Sequence, residues 1–202
     1  MKIMILIQAR MSSKRFPKKM LYKIKGKSLI QIVYERCKKS DIETAVVTST
    51  DKTDEKLVLH CKAKKINCLE SSLNDVYKRF CDAIKHYKLT HFVRITGDSP
   101  LVDYKLLKKM ISRNLLNKYD LITNCFPRSY PIGQTIEIFN AKSFLKNYKS
   151  INNNYHREHI SQIFYENCQN FKIKNFKLKK NLSNLDLSIN YKKDVSKIAK
   201  KI

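Results

Sequence analysis

Five cations (Arg10, Lys14, Arg15, Lys18 and Lys19) lie within ten residues of one another, interleaved with Ser12, Ser13 and Pro17. They follow directly on the apolar run from Ile3 to Ile7. A basic loop of small residues at the end of a strand can wrap a polyphosphate with backbone N–H groups and charged side chains. A second constellation, Arg94-Ile95-Thr96-Gly97-Asp98-Ser99-Pro100, also ends an apolar run. Gly97 permits a tight turn and Pro100 closes the extended segment, which presents Asp98 at the strand end. A hard cation such as Mg²⁺ is held by one or two carboxylates plus substrate phosphates. Asp98 opposite Arg10, Arg15 and Lys19 would supply that combination. Alone, a basic run is usually a solvated face, and a Gly-Asp turn usually satisfies local amides. Only the two together point to a nucleoside triphosphate.

The elements that must position these loops alternate. Short β-rich runs at 3–7, 44–48, 66–69, 91–95 and 120–124 are separated by helical patterns near 28–38, 53–64, 73–88 and 103–117. In the third helix Val76, Phe80, Ala83, Ile84 and Tyr87 keep the three-and-four spacing of a buried face. Asp103 and Ser72 are candidate caps. The alternation predicts βαβ units and a mostly parallel sheet covered by helices on both faces, with ligands at the carboxyl ends of its strands. The rhythm changes after residue 125, where Pro127, Pro131 and Gly133 mark a loop. An alternating strand is expected at 134–139, then helices near 141–148 and 155–166, a last strand at 185–189 and a closing helix at 191–201.

The composition excludes several classes. Three glycines in 202 residues rule out both a Walker loop and a dinucleotide fingerprint. The six cysteines show no CxxC pair and no zinc-like spacing with histidine. There is no run of about 18 apolar residues, so no membrane span is expected. The first residues are too short and too polar for a signal region, which predicts a cytoplasmic protein. A net charge of +25 is spread along the chain together with abundant Asn and Ile. Such drift toward residues encoded by A- and T-rich DNA explains the charge without specific nucleic-acid recognition, and no aromatic-interleaved basic stripe appears.

Residues 8–20, QARMSSKRFPKKM, together with RITGDSPL at 94–101, resemble the cytidylyltransferases that activate sugars as CMP conjugates. The match is to the spore-coat-polysaccharide type, relatives of acylneuraminate cytidylyltransferases. SLNDVYKRF (72–80), PRSYPIGQTIEIF (127–139) and REHISQIFYEN (157–167) extend the resemblance over nearly the whole chain. It implies an α/β fold, a three-layer α/β/α Rossmann-like nucleotide-diphospho-sugar transferase architecture with a mostly parallel mixed sheet. It implies one domain over 1–202 with a substrate-side or oligomerisation excursion at about 126–170. It also implies CTP and a sugar as substrates, Mg²⁺ as cofactor, and allows a homodimer. Carried over by position, Gln8, Ala9 and Arg10 begin the CTP loop. Arg10 and Lys19 hold the triphosphate with Ser13 and Arg15 assisting. Asp75 and Arg79 form a nucleotide-side pair or a structural salt bridge, Thr96 and Gly97 approach the ribose or base, and Asp98 binds the metal. Glu137, Arg157, Glu158 and His159 lie toward the sugar.

Two departures follow. Asn190 stands where the relatives carry a second metal carboxylate, and Ile132 stands where many carry Asp. An amide oxygen can ligate a metal, but it removes a charge, so metal affinity should fall. The sequence therefore supports two outcomes: a cytidylyltransferase acting on a 2-keto sugar acid, or a weakened or silent nucleotide- or sugar-binding paralogue.

Overall fold

A computed structural model describes residues 1–202. In chain order the elements are β1 (Ile3–Gln8), β2 (Lys23–Ile24), β3 (Lys27–Ser28), α1 (Leu29–Lys38), β4 (Thr44–Ser49), α2 (Glu55–Ala63), β5 (Cys68–Ser71), α3 (Val76–Tyr87) and β6 (His91–Thr96). There follow α4 (Tyr104–Met110), α5 (Arg113–Leu116), β7 (Leu121–Thr123), β8 (Glu137–Asn140), α6 (Ala141–Tyr148), α7 (Asn154–Glu158), α8 (Gln162–Glu166), β9 (Ile173–Asn175) and α9 (Asp194–Ala199). Seven strands form one sheet in the order β5-β4-β1-β6-β8-β7-β9, and β2 and β3 make a separate hairpin. The strands from β5 to β6 are parallel; β8 runs antiparallel to both β6 and β7, and β9 is parallel to β7. The chain winds outward from β1 to β4 and β5, then returns to β6 on the other side. That reversal makes the β1–β6 boundary the switch point at which open α/β sheets bind ligands.

Alternation along the strands loads both faces of the sheet. Ile5, Ile7, Val46, Val93 and Ile95 pack with α1, α2 and α4, and Ile198 of α9 joins them. Met4, Leu6, Val47, Phe92 and Phe139 face α3, α6 and α8. This second face is an aromatic cluster centred on Phe144. Tyr77 stacks on Phe144 at 3.9 Å, and Phe92 and Phe139 meet it edge-on at 4.9 and 5.3 Å. The Tyr77 hydroxyl donates to the Phe144 carbonyl (2.9 Å), so the buried polar atom is satisfied.

Several elements differ from the pattern-based expectation. The helix expected over 103–117 is two, because the Ser112 hydroxyl accepts from Leu115 N and starts a new helix. The helix expected over 155–166 breaks at His159, which leaves helical geometry. Helix α3 is capped by Asp75, not Ser72: the Asp75 carboxylate accepts from Lys78 N at 2.7 Å. Residues 185–189 form no strand. They run as a strap over the carboxyl ends of the sheet, joined to the 131–133 turn by Ile132 N to Leu185 O (2.9 Å) and Leu187 N to Ile132 O (2.8 Å). The closing helix is shorter than expected, covering only Asp194–Ala199. Gly133 makes the strap possible: its φ is +87°, and an added Cβ would lie 2.6 Å from Ser188 N.

Phe144→Ala should destabilise the protein by about 3–5 kcal/mol, because it empties the centre of a cluster that cannot collapse around the void. Urea unfolding monitored by far-UV circular dichroism checks this; a change under about 1 kcal/mol would show that the cluster is not close-packed.

Candidate active site

The register of the two central strands builds the site. Gln8 and Thr96, the last residues of β1 and β6, are direct partners, and Gly97 N donates to Gln8 O at 2.8 Å. The two loops predicted to carry chemistry therefore leave the sheet side by side. At Gly97 an added Cβ would lie 2.9 Å from the Met20 sulfur and 3.1 Å from the Ala9 Cβ, so a side chain there would have to displace its neighbours in the basic loop.

The basic loop and the Gly97–Asp98 turn enclose a cleft of about 660 Å³. Gln8, Ala9, Arg10, Ser13, Arg15, Lys19, Thr96, Gly97 and Asp98 all line it. Lys19 is the joint of the assembly. Its ammonium donates to Asp98 Oδ2 at 2.8 Å and to the Ile189 carbonyl at 3.0 Å, and the residue is only 7% exposed. Ile189 N in turn donates to the Asp98 carbonyl (2.9 Å). Three distant segments thus meet at one buried cation.

A second cleft, of about 480 Å³, opens on the other side of Asp98. Thr96 and Asp98 line both clefts; Asn190, Glu137 and His159 line only the second. A larger hollow of about 850 Å³, walled by Asn147, Asn153 and Lys142, lies away from both loops.

The remaining predicted residues fall into different roles. Glu137 is buried and committed to structure. Burial opposes its charge, but the Arg94 guanidinium at 2.7 Å and the Tyr165 and Ser161 hydroxyls outweigh that and hold its carboxyl below the usual range. Glu137 is thus the floor of the second cleft, with no oxygen free for a direct sugar contact. Arg157 does not reach that cleft: it pairs with Asp75 at 2.8 Å and lies over the Tyr148 ring. Glu158 sits beside the basic loop, 3.1 Å from Arg10. Asp75 and Arg79 do not pair with each other. Asp75 is the α3 cap and the partner of Arg157, and buried Arg79 donates to the Ser72 carbonyl (2.9 Å). Neither lines the clefts; the Arg79 Nη1 is buried without a partner.

Sequence reasoning missed Asp54, which is fully buried. It makes no salt bridge within 4 Å and accepts from Met11 N (2.6 Å), Ser49 N (3.2 Å) and the Thr48 and Ser49 hydroxyls. The Met11 bond anchors the basic loop to the end of β4. Its sequence signal was a lone Asp just before a helix, which reads as an ordinary N-terminal acid.

No cluster of three or more His, Cys, Asp or Glu occurs. The donors at the junction are the Asp98 carboxylate, whose Oδ1 accepts no hydrogen bond, and the Asn190 amide. That set fits a hard cation that takes one carboxylate and completes its shell with substrate phosphates. Asn190 is held in a defined orientation. The Ser188 hydroxyl gives its proton to Asp186 Oδ1 (2.6 Å), so it faces Asn190 as an acceptor and draws Nδ2 toward it (2.6 Å). Asn190 Oδ1 then accepts from Arg15 at 3.0 Å. Asp186 itself is exposed and turned toward Ser188, so it does not replace the missing carboxylate.

A switch-point cleft with a basic loop facing a single acid is the plan of a nucleotide-binding α/β enzyme. The chain belongs to the cytidylyltransferase family, whose model matches residues 4–199. It is 33% identical to the spore coat polysaccharide biosynthesis protein SpsF of Bacillus subtilis over 147 residues, 69% of this chain and 59% of SpsF. It is 36% identical to a 3-deoxy-manno-octulosonate cytidylyltransferase of Bdellovibrio bacteriovorus over 110 residues, 54% of this chain and 44% of that one. The chain thus spans about half the length of these curated relatives. The solved structure of a cytidylyltransferase from Leptospira borgpetersenii superposes with a TM-score of 0.91 at 33% identity, covering 96% of this chain and 83% of that one. No helix is long and apolar enough to cross a membrane.

Asp54→Asn should loosen the basic loop, because one amide oxygen cannot accept from four donors. Hydrogen exchange at Met11 is expected to accelerate by roughly 10- to 100-fold, the equivalent of about 1–3 kcal/mol. Unchanged exchange at Met11 would remove Asp54 from any role in holding the loop.

Proposed function

We propose that this protein transfers CMP from CTP to a sugar hydroxyl and releases pyrophosphate, with a 2-keto sugar acid as acceptor, in the synthesis of a surface polysaccharide or glycoconjugate. The observation that carries this reading is the position of Thr96 and Asp98 between two clefts. The basic cleft suits the triphosphate, and the second cleft suits the acceptor. The α-phosphorus then lies at the junction, where the acceptor hydroxyl attacks it and the bond to the β,γ-pyrophosphate breaks.

Transfer of this kind depends on positioning and on neutralising the charge that builds on the leaving group. Arg10, Arg15 and Lys19 surround the cleft in which pyrophosphate would form. Lys19 cannot swing away, because Asp98 and the Ile189 carbonyl hold it. Arg15 faces a neutral amide at Asn190, so its charge is not cancelled by a carboxylate. Asp98 with Asn190 would hold Mg²⁺, which when bound polarises phosphoryl oxygens and acidifies a hydroxyl near it. The acceptor loses its proton as the new P–O bond forms; no histidine, lysine or unpaired carboxylate other than His159 lines the second cleft to receive it.

The missing carboxylate at 190 favours a second reading, a silent nucleotide- or sugar-binding protein. Pyrophosphate release, measured for four nucleotides against a panel of sugar acids at varied Mg²⁺, separates the two. Release with CTP and at least one sugar acid is expected. Asn190→Asp should lower the Mg²⁺ concentration for half-maximal rate. Tight CTP binding with no release by the wild type, and release gained by Asn190→Asp, would establish the silent protein instead.

A further inference from the structure

The hollow of about 850 Å³ is walled by α6, α7, α8 and the segment that enters β9, and it shares no residue with either catalytic cleft. Its volume suits a small ligand. Lys142 and Lys146 stand one turn apart on α6 and both line it. Neither ammonium has an acid within 4 Å. Like charges at this spacing repel each other, so the pair is left in want of an anion. Between them, Ser143 spends its backbone N–H on Asn140 and its carbonyl on Asn147, and its hydroxyl on nothing. Two ammoniums and a hydroxyl suit a phosphate monoester, which carries about 1.5–2 negative charges and three acceptor oxygens. A carboxylate is planar and better met by the fork of an arginine, and no arginine lines this hollow.

The hollow also holds fixed acceptors. Asn147 and Asn167 each donate Nδ2 to a carbonyl one turn back, Ser143 at 2.8 Å and Ile163 at 2.9 Å. That sets each amide plane and leaves each Oδ1 without a donor. Phe171, half-buried against Phe164 (4.5 Å between ring centres), adds an apolar wall. A bare polyanion gains nothing from amide oxygens. A hydroxylated ligand gives them its protons and can lay its C–H groups against the ring.

We propose that this hollow is a second ligand site, for a sugar phosphate. Lys142, Ser143 and Lys146 take the phosphate, and Asn147 and Asn167 accept from the sugar hydroxyls. The proposal is independent of the transferase reading, because none of these residues lines a catalytic cleft.

The test is titration of the ¹⁵N-labelled protein followed by amide chemical shifts. The probes are glucose 1-phosphate and glucose 6-phosphate, beside glucose, inorganic phosphate and glucuronate. At least one sugar phosphate should shift the amides of Ser143, Asn147, Asn167 and Phe171 saturably. Glucose, inorganic phosphate and glucuronate should each bind there about tenfold more weakly, the scale of a lost charged hydrogen bond or of two neutral ones. Lys142→Gln with Lys146→Gln should weaken the sugar phosphate by about tenfold and leave glucose unchanged. Asn147→Ala with Asn167→Ala should weaken the sugar phosphate by a similar factor and leave inorganic phosphate unchanged. CTP affinity should stay constant in both variants. The comparison of probes on the wild type decides the matter even where a variant fails to fold. Inorganic phosphate bound as tightly as the sugar phosphates would reduce the hollow to a basic surface and overturn the proposal. So would glucuronate bound as tightly, which would remove the phosphate selectivity, or no saturable shift at these four amides. Pyrophosphate release plays no part in the readout, so this proposal and the transferase reading fail separately.

Discussion

The buried ammonium of Lys19 is the constraint on which the site depends. It ties the loop after β1 to the turn after β6 through Asp98, and both to the C-terminal strap through the Ile189 carbonyl. A nearly buried charge is costly unless it is paired and fully hydrogen-bonded, and breaking one partner costs more than the pair contributes. The pair is therefore better understood as a device of position than of stability. It places one acid at the boundary of two clefts and ties the end of the basic loop to it. Asp54 plays the matching part from the opposite side, holding the same loop at Met11. The loop that faces the ligand is thus held at both ends by buried polar contacts, which limits how far its arginines can stray.

The Asn190 substitution makes sense within this frame. The hydroxyl of Ser188 can only accept from residue 190, because its proton goes to Asp186. An amide satisfies that demand and still offers an oxygen to Arg15. A carboxylate would meet Ser188 acceptor to acceptor and would form an ion pair with Arg15. Under the proposed transferase function, an amide at 190 would weaken the metal side of the junction and leave more of the Arg15 charge for a phosphate. In a chain with a net charge of +25, site electrostatics shifted from metal to arginine fits the general composition.

What was legible in the sequence was local and periodic. The β1 run and the β6 run are apolar and β-branched, so both strands and the loops at their ends could be seen, and the glycine in the second loop indicated the tight turn. The alternation of strands and helices was enough for the three-layer architecture. Other features depend on tertiary partners. The 185–189 segment has a strand-like Leu-x-Leu-x-Ile pattern, yet Leu185 is 43% exposed because the segment crosses Gly133 instead of joining the sheet. Arg157 and Asp75 sit 82 residues apart, and no spacing rule could pair them. Glu137, on the alternating segment, was expected to lie toward the sugar, but β8 is inserted between β6 and β7, which brings Arg94 against it. Asp54 was overlooked because a buried carboxylate with only neutral donors has no sequence mark.

The central claim is that Asp98 serves the chemical step from the seam between nucleotide and acceptor. The most direct measurement is the turnover of Asp98→Asn beside its calorimetric affinity for CTP. Pyrophosphate release should fall by at least roughly 100-fold, the scale of a lost electrostatic contact at the transition state, with CTP affinity changed by less than about tenfold. Wild-type turnover in the variant, or a loss explained entirely by failure to bind CTP, would contradict it.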